Sequence, residues 1–429
     1  MDRTAKLTFE GHEIELPVEQ SVEGELAIDI SSLRAKTGAT TLDRSLANTA
    51  LCRSEITYID GDKGILRYRG IPIEDLVHRP NFVEIAWLLI FGHLPNREEL
   101  SDFSEHLSDN QLLHEGLRHQ FQHIPVDAPP MAILSAMLSN LACYHQEFLT
   151  VEDTEQFTLA AARLISKVRT IAAFSYRRSR GLPIIHPDPG LRYCANFLHM
   201  MFSVPYKHYV LDPEIEDALN LIFILHADHE QNCSTATVRT VGSSRANVFA
   251  SCAAGVCALW GPLHGGANVE VINMLEKIAA GGLEPEDCIR MAKDKESGFL
   301  LHGFGHRVYK NYDPRAKILR ETCERVFKRI QTKDPLLDIA RKLEELALKD
   351  SYFVDRKLYP NVDFYSGIIL RAMGIPTNMF TVCFAIGRLP GWVAHWKEQH
   401  DNPSSRIIRP RQVYLGPTKQ AYKPMRERE

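Results

Sequence analysis

The feature that most constrains the fold is a succession of long segments whose apolar residues recur at helical spacing. Strands do not alternate with these segments, so the pattern gives no support to a parallel sheet. The chain is therefore expected to be mainly α. The helical segments fall at residues 130–149, 153–180, 213–237, 267–281, 315–331, 335–349 and 375–400.

Local signals mark several helix starts. Asn81 precedes an apolar helical face and is expected to cap it. Asp212, Asp313 and Asp334 each stand directly before a proline, which places a capping carboxylate ahead of the first helical position.

The first sixty residues differ, because apolar and polar residues alternate there as in strands. Leu7 and Phe9 lie before the turn residues 10–12, and Ile14 and Leu16 lie after it. A second hairpin is expected around a turn at residues 60–64. The sequence thus predicts a small β-rich N-terminal module beside the helices.

Composition excludes several classes of protein. With 50 basic and 54 acidic residues the net charge is −4, which disfavours a general binder of nucleic acid or anionic membranes. An anionic substrate would need a local arginine cluster instead. The nine cysteines form no CxxC pair, which is typical of a reducing compartment and not of a zinc ribbon.

Membrane insertion and export are also disfavoured. The continuous apolar run at 248–260 is shorter than the roughly 20 residues of a membrane span, so it predicts a buried helix. The N-terminus lacks the apolar core of a signal peptide. We expect a soluble cytoplasmic protein.

Three segments are rich in polar residues that proteins usually bury only where these residues have a function. In HADHEQN (226–232), His226 and His229 are predicted to share a helix face. A metal site on them with Glu230, as in a zinc hydrolase, is one interpretation, although Cys233 takes the place of the second histidine of HExxH. A hydrogen-bonded histidine pair is the other.

The other two segments carry one histidine each between glycines or cations. His264 lies in WGPLHGGAN (260–268), where glycines permit close approach of a ligand and a helix N-terminus follows. His306 lies in GFGHRVYKNYDPRA (303–316) near Lys310 and Arg315, and cations favour a neutral imidazole. A simple helix–helix turn and a basic surface loop are the respective alternatives.

Together with YPNVDFYSGIIL (359–370), these three segments resemble the citrate synthase family, in particular the form found in Gram-negative bacteria. The similarity runs over nearly the whole chain. It implies a two-domain helical fold, a homodimer at minimum and a hexamer as the expected assembly. The implied division is a β-rich module at 1–60, a large helical domain at 61–275 and 380–429, and a small helical domain at 276–379.

The resemblance also implies roles for individual residues. His264 matches the histidine that hydrogen-bonds the acetyl-CoA thioester oxygen, His306 the one that polarises the oxaloacetate ketone, and Asp363 the base. Lys310 stands where the family has a basic residue for CoA phosphates. The matches to oxaloacetate ligands are His229, Arg315, Arg388 and Arg409, the last lent by a partner subunit.

Elementary chemistry agrees with these implied roles. A thioester methyl group is a very weak carbon acid, so a carboxylate base needs a fixed donor for the enolate oxygen. Two substrate carboxylates need several cations. No metal or other cofactor is expected. A 2-methylcitrate synthase, which uses propionyl-CoA, is an alternative, since one methylene discriminates by only about 1–3 kcal/mol.

Hexameric members of the family are often inhibited by NADH at a separate site. Tyr144, Arg163 and Lys167 stand at matching positions, but the family's Arg-His pair reads Asp109-Asn110 here. A carboxylate would repel the pyrophosphate that a guanidinium binds. We expect weak inhibition by NADH or none.

Overall fold

The computed structural model describes residues 3–77, 81–331 and 334–428. The chain divides into two compact units. One contains the residues up to Arg53 and those from Ile407 onward, and the other is Ser54–Arg406. No helix in the described ranges is long and apolar enough to cross a membrane.

The first unit is a small antiparallel sheet with one short helix. Strands β1 (Arg3–Phe9), β2 (His12–Gln20) and β3 (Leu26–Ile28) are adjacent in that order, and helix α1 is Leu33–Thr37. Ile14, Leu16 and Leu33 form its core. The tail from Ile407 is extended up to a 3-10 turn at Met425–Glu427.

The first hairpin confirms the sequence prediction. Leu7 pairs with Ile14, and Phe9 pairs with His12. The two turn residues, Glu10 and Gly11, both have positive φ, 48° and 80°, as the twist of a two-residue hairpin turn requires.

The second unit begins with a three-stranded sheet and continues as helices. Its strands are β4 (Thr57–Asp60), β5 (Ile65–Tyr68) and β6 (Ile71–Pro72), in antiparallel order. Single 3-10 turns occupy Gln146–Phe148, Lys295–Ser297 and Thr377–Met379. The helices are α2 (Ile73–Leu76), α3 (Phe82–Phe91), α4 (Arg97–Asp109), α5 (Glu115–His123), α6 (Pro130–Tyr144), α7 (Thr154–Ser179), α8 (Tyr193–Phe202), α9 (Pro213–His226), α10 (Cys233–Gly242), α11 (Val248–Trp260), α12 (Ala267–Gly281), α13 (Pro285–Lys293), α14 (Pro314–Ile330), α15 (Pro335–Lys349), α16 (Ser351–Asp355), α17 (Val362–Ala372) and α18 (Phe380–Asp401).

The predicted caps are confirmed. The side chain of Asn81 accepts a hydrogen bond from the Glu84 N–H at the start of α3. Asp212, Asp313 and Asp334 each accept one from the N–H two residues on. A proline occupies the first turn of all three of these helices, where its missing N–H costs nothing.

The long helices α7 and α18 supply much of the core of this unit, and both are buried along most of their length. The apolar run at 248–260 is helix α11, whose buried residues include Val248, Phe249, Val256 and Leu259. The prediction of a buried helix at this run is confirmed.

One predicted helix is broken in the structure. The segment 213–237 is α9 and α10, separated by residues 227–232. The Gly391 N–H donates to the Ala227 carbonyl at 3.1 Å, and the Tyr68 hydroxyl lies 3.1 Å from the Asp228 carbonyl. Glu230 has a left-handed φ of 54°. These partners outside the helix satisfy the backbone groups, so the helix can end here.

The break corrects the interpretation of HADHEQN. His226 is the last residue of α9, whereas His229 lies in the connecting segment. The expectation that both histidines share one helix face is therefore wrong. The division of the helices into a large domain (61–275 and 380–429) and a small one (276–379), and the boundary at residue 60, stay predictions.

Candidate active site

His306 lies in an irregular loop before α14 and is held there as a neutral donor. Its Nδ1 accepts hydrogen bonds from the backbone N–H groups of Val308 (3.0 Å) and Tyr309 (3.1 Å). Because a backbone N–H can only donate, the ring proton must be on Nε2. Burial and the nearby Arg315 lower the pKa of His306 to about 4. The imidazole is therefore neutral at physiological pH and can donate from Nε2.

The β4–β5 turn contacts this loop. The Lys310 N–H donates to the Gly61 carbonyl at 2.8 Å. A Cβ at Gly61 would lie 2.2 Å from the Val308 carbonyl oxygen, so only glycine allows the turn to approach this closely. The hairpin thus fixes the part of the chain that orients His306.

Arg315 is buried and held by Asp313. Its Nε and Nη2 donate to the two carboxylate oxygens of Asp313 at 3.0 and 2.9 Å. Asp313 also accepts from the Val362 N–H at 3.1 Å. The Asp313 carboxylate therefore caps α14, orients the Arg315 guanidinium and links both to the start of α17.

Asp363 is the second residue of α17 and directly follows Val362, whose N–H donates to Asp313. Its backbone N–H donates to the Asn361 side chain, and Asn361 in turn donates to the Gly305 carbonyl at 2.8 Å. Its carboxylate accepts no hydrogen bond from the part of the chain that the structure describes. Burial raises the pKa of Asp363 to about 6. A carboxylate in this state is a stronger base than an exposed one and is still ionised at pH 7.

His264 lies between α11 and α12 and has the opposite tautomer to His306. The Ser234 N–H donates to its Nε2 at 3.2 Å, and the Ser234 hydroxyl lies 2.9 Å from the same atom. The proton is therefore on Nδ1. Burial, with Arg388 as a secondary cause, lowers the pKa of His264 to about 4. A neutral ring with its proton on Nδ1 is a hydrogen-bond donor without a charge.

His229 and Arg388 add unpartnered polar groups to this region. The His229 ring centroid lies 5.4 Å from that of His306 and 5.6 Å from that of Tyr309. Arg388 donates from Nε to the His226 carbonyl at 2.6 Å. Within the described residues, His229 Nε2 and Arg388 Nη1 are buried without a hydrogen-bond partner. Such groups are costly unless a ligand satisfies them.

The candidate residues of this unit share one electrostatic environment. Arg315 and Arg388 both contribute to the pKa shifts of His229 and Asp363. The result is a buried region with two guanidinium groups, three neutral histidines, the Asp363 carboxylate and the Asp313 carboxylate that is paired with Arg315. It suits a small dianion beside an uncharged group that must lose a proton.

Comparison with known proteins assigns the family. The model of the citrate synthase C-terminal domain matches residues 45–411. The chain belongs to the citrate synthase family. Citrate synthase 1 of Mycobacterium tuberculosis, in strains CDC 1551 / Oshkosh and H37Rv, is 51% identical over 421 residues, which are 98% of each chain.

Solved citrate synthases have the same fold. The enzyme from Pyrobaculum aerophilum is 35% identical, with a TM-score of 0.81 over all of both chains. The Thermoplasma acidophilum citrate synthase, solved as a ternary complex with carboxymethyl coenzyme A and oxaloacetate, is 31% identical with a TM-score of 0.82. That match covers 91% of this chain and 100% of the other.

Two further candidate residues, Lys310 and Arg409, are exposed. Lys310 is exposed, and its Nζ lies 3.4 Å from the His306 carbonyl and 3.3 Å from the Arg307 carbonyl. Arg409 belongs to the other unit, in the extended tail, and is exposed.

The zinc-hydrolase interpretation loses the geometry on which it rested. His226 Nδ1 lies 2.7 Å from the Ile222 carbonyl of its own helix, while Glu230 is exposed on the connecting segment. Across the described ranges, no group of three His, Cys, Asp or Glu residues is arranged to hold a metal ion.

Of the candidate nucleotide residues, Arg163 and Lys167 come together at Asn110, and their polar groups already have partners. Lys167 is buried, and its Nζ donates to the Asn110 carbonyl at 2.8 Å. Arg163 donates to the Asn110 side chain at 2.8 Å and forms an ion pair with Glu147. Burial lowers the pKa of Lys167 to about 8. Tyr144 is half-buried, and its ring centroid lies 4.6 Å from that of His114, with the two ring planes tilted by 30°. Asp109 is exposed at the end of α4.

Sequence reasoning missed the residues that orient the catalytic candidates. Asp313 was identified only as a cap, although it also binds Arg315. Ser234 gave no signal, because it acts on His264, which is 30 residues away in the chain. The asparagine before α17 could have been identified as a cap, but its bond to Gly305 depends on the tertiary fold.

Proposed function

We propose that this chain condenses acetyl-CoA with oxaloacetate and hydrolyses the resulting citryl-CoA to citrate and CoA. The proposal rests on two neutral histidines with opposite tautomers, His264 and His306, in the same buried region as the carboxylate of Asp363. A reaction that joins two carbonyl compounds needs a separate donor for each carbonyl oxygen and one base.

In the first step, Asp363 removes a proton from the acetyl methyl group. The electron pair moves onto the thioester oxygen, and His264 donates a hydrogen bond to it from Nδ1. Because the donor is already oriented by Ser234, little reorganisation is needed as the charge develops. The raised pKa of Asp363 favours this proton transfer.

In the second step, the enolate carbon attacks the oxaloacetate ketone and forms the new carbon–carbon bond. His306 polarises the ketone from Nε2 and stabilises the developing alkoxide. We propose that His229, Arg315 and Arg388 bind the substrate carboxylates, which supports attack from one direction. Lys310 is proposed to contact the CoA phosphates. The proposal includes no metal or other cofactor.

We propose a homodimer as the minimal active form, with Arg409 of one chain completing the oxaloacetate site of the next. Its exposure on an extended tail supports this role. A cation from the partner subunit would also help to balance the negative charge of oxaloacetate, because Arg315 is already paired with Asp313. A hexamer, as in the Gram-negative form, and a cytoplasmic location complete the proposal.

The test is an assay of CoA release from acetyl-CoA by the purified chain, with and without oxaloacetate, and identification of the product. Release that depends on oxaloacetate and yields citrate supports the proposal. The same assay with propionyl-CoA tests the 2-methylcitrate synthase alternative. A higher kcat/KM for propionyl-CoA would favour that alternative, and no release with either thioester would contradict both.

A further inference from the structure

A buried carboxylate with no role in the proposed reaction lies in α15. Glu344 is 2% exposed. Its Oε1 accepts a hydrogen bond from the Tyr312 hydroxyl and its Oε2 accepts one from the Tyr365 hydroxyl, each at 2.6 Å. Arg320 adds a weaker ion pair at 3.4 Å. Buried carboxylates are rare without partners, and this one has three.

The two tyrosines belong to the two parts of the proposed active site. Tyr312 directly precedes Asp313, which holds Arg315 in place. Tyr365 lies on α17, two residues after Asp363. Glu344 therefore connects the loop before α14, whose Asp313 holds Arg315, with the helix that carries the base.

We infer that Glu344 is a positioning residue, which sets the distance between Asp363 and the loop that carries His306 and Asp313, the partner of Arg315. The inference rests on the proposed function. Enolate attack requires the base and the ketone-binding groups to lie in a fixed relation, where a displacement of about 1 Å can cost on the order of 100-fold in rate.

The chemistry of the bridge suits a rigid support. Hydrogen bonds from hydroxyl groups to a carboxylate are short and strong. Burial and the Glu344 carboxylate both raise the pKa of Tyr312 and of Tyr365, so each keeps its proton and remains a donor. One oxygen of Glu344 serves each tyrosine, which leaves neither hydroxyl free to move independently.

The experiment compares Tyr312→Phe, Tyr365→Phe and Glu344→Gln with the parent chain by steady-state kinetics and thermal melting. Tyr312→Phe releases the loop and is expected to raise the KM for oxaloacetate by about 10-fold. Tyr365→Phe releases the helix of the base and is expected to lower kcat by about 10-fold, with that KM nearly unchanged. Glu344→Gln is expected to change both.

The matched control is Tyr193→Phe, because the Tyr193 hydroxyl is also buried and donates to the Ile165 carbonyl at 2.8 Å, away from the proposed site. It is expected to lower the melting temperature and leave the kinetics unchanged. If the two tyrosine variants near Glu344 behave like this control, the inference is overturned, even if Glu344→Gln does not fold. A parent chain without condensation activity would instead overturn the proposed function, and the inference with it.

Discussion

At the scale of single residues, the site depends on which ring nitrogen carries a proton. His264 and His306 each have one nitrogen occupied by backbone N–H donors, Ser234 for the first and Val308 and Tyr309 for the second. The backbone therefore selects the tautomer, and burial keeps each ring uncharged. A neutral donor can stabilise an oxyanion without first losing a bond to a counter-ion.

The pKa values predict the pH dependence of activity. Asp363 has a pKa raised to about 6, and it acts as a base only when ionised, so kcat/KM should fall as pH decreases through about 6. The pKa values of His264 and His306, lowered to about 4, keep both rings neutral over this range. Initial rates between pH 8 and 5 measure the profile. An unchanged kcat/KM down to pH 5 would contradict the assignment of Asp363 as the base.

At the scale of secondary structure, the break between α9 and α10 places His229. It depends on the close approach of α18, where a Cβ at Gly391 would lie 2.3 Å from the Ala227 carbonyl oxygen and 2.5 Å from Asp228 Oδ1. Backbone atoms cannot yield as a flexible side chain can. Glycine at 391 is thus a requirement of the site as well as of the fold.

Gly391→Ala is accordingly expected to move residues 227–229, raise the KM for oxaloacetate and lower the melting temperature. The destabilisation should be of the 1–3 kcal/mol that overpacking typically costs. Gly281→Ala is the control, since its Cβ would meet no atom closer than 3.7 Å. Steady-state kinetics and denaturant unfolding of both variants test this. Equal behaviour of the two variants would show that the close approach is unimportant.

The packing of helices also determines which partners the candidate nucleotide residues have. Asn110, at the end of α4, accepts from both Arg163 and Lys167 of α7, so the cations that would bind a pyrophosphate are already engaged. NADH titrated at subsaturating acetyl-CoA is therefore expected to inhibit weakly or not at all. Strong inhibition that is not competitive with acetyl-CoA would contradict this prediction.

The elements show which parts of the structure the sequence could predict. Helix starts at Asp212, Asp313 and Asp334 follow from a carboxylate and a proline that are neighbours in the chain. The end of α9 does not, because Tyr68 and Gly391 satisfy its backbone from more than 150 residues away. Local signals were sufficient for caps and hairpins. Tertiary partners decided the break.

The same distinction applies to the site. Motif resemblance selected His264, His306 and Asp363 as candidates, and the structure brings them into one environment with Arg315 and Arg388. Their protonation states follow from backbone donors that depend on the fold of each loop, so no residue pattern could have supplied them.

At the scale of the whole molecule, the oxaloacetate site is proposed to be shared between chains. An Arg409→Ala chain and an Asp363→Asn chain should each be inactive alone. Hybrid dimers should recover part of the activity, because one of their two sites then has both residues intact. Mixing the unfolded chains, refolding them and assaying the separated hybrid tests this. A confirmed hybrid without activity would indicate that each site is built from one chain.

The proposed mechanism is tested most directly by the kcat of Asp363→Asn at saturating acetyl-CoA and oxaloacetate. The replacement has nearly the same shape but cannot accept the methyl proton. We expect kcat to fall by about 10²–10⁴-fold or more, with the fold and oxaloacetate binding retained. A folded Asp363→Asn variant that turns over like the parent chain would contradict it.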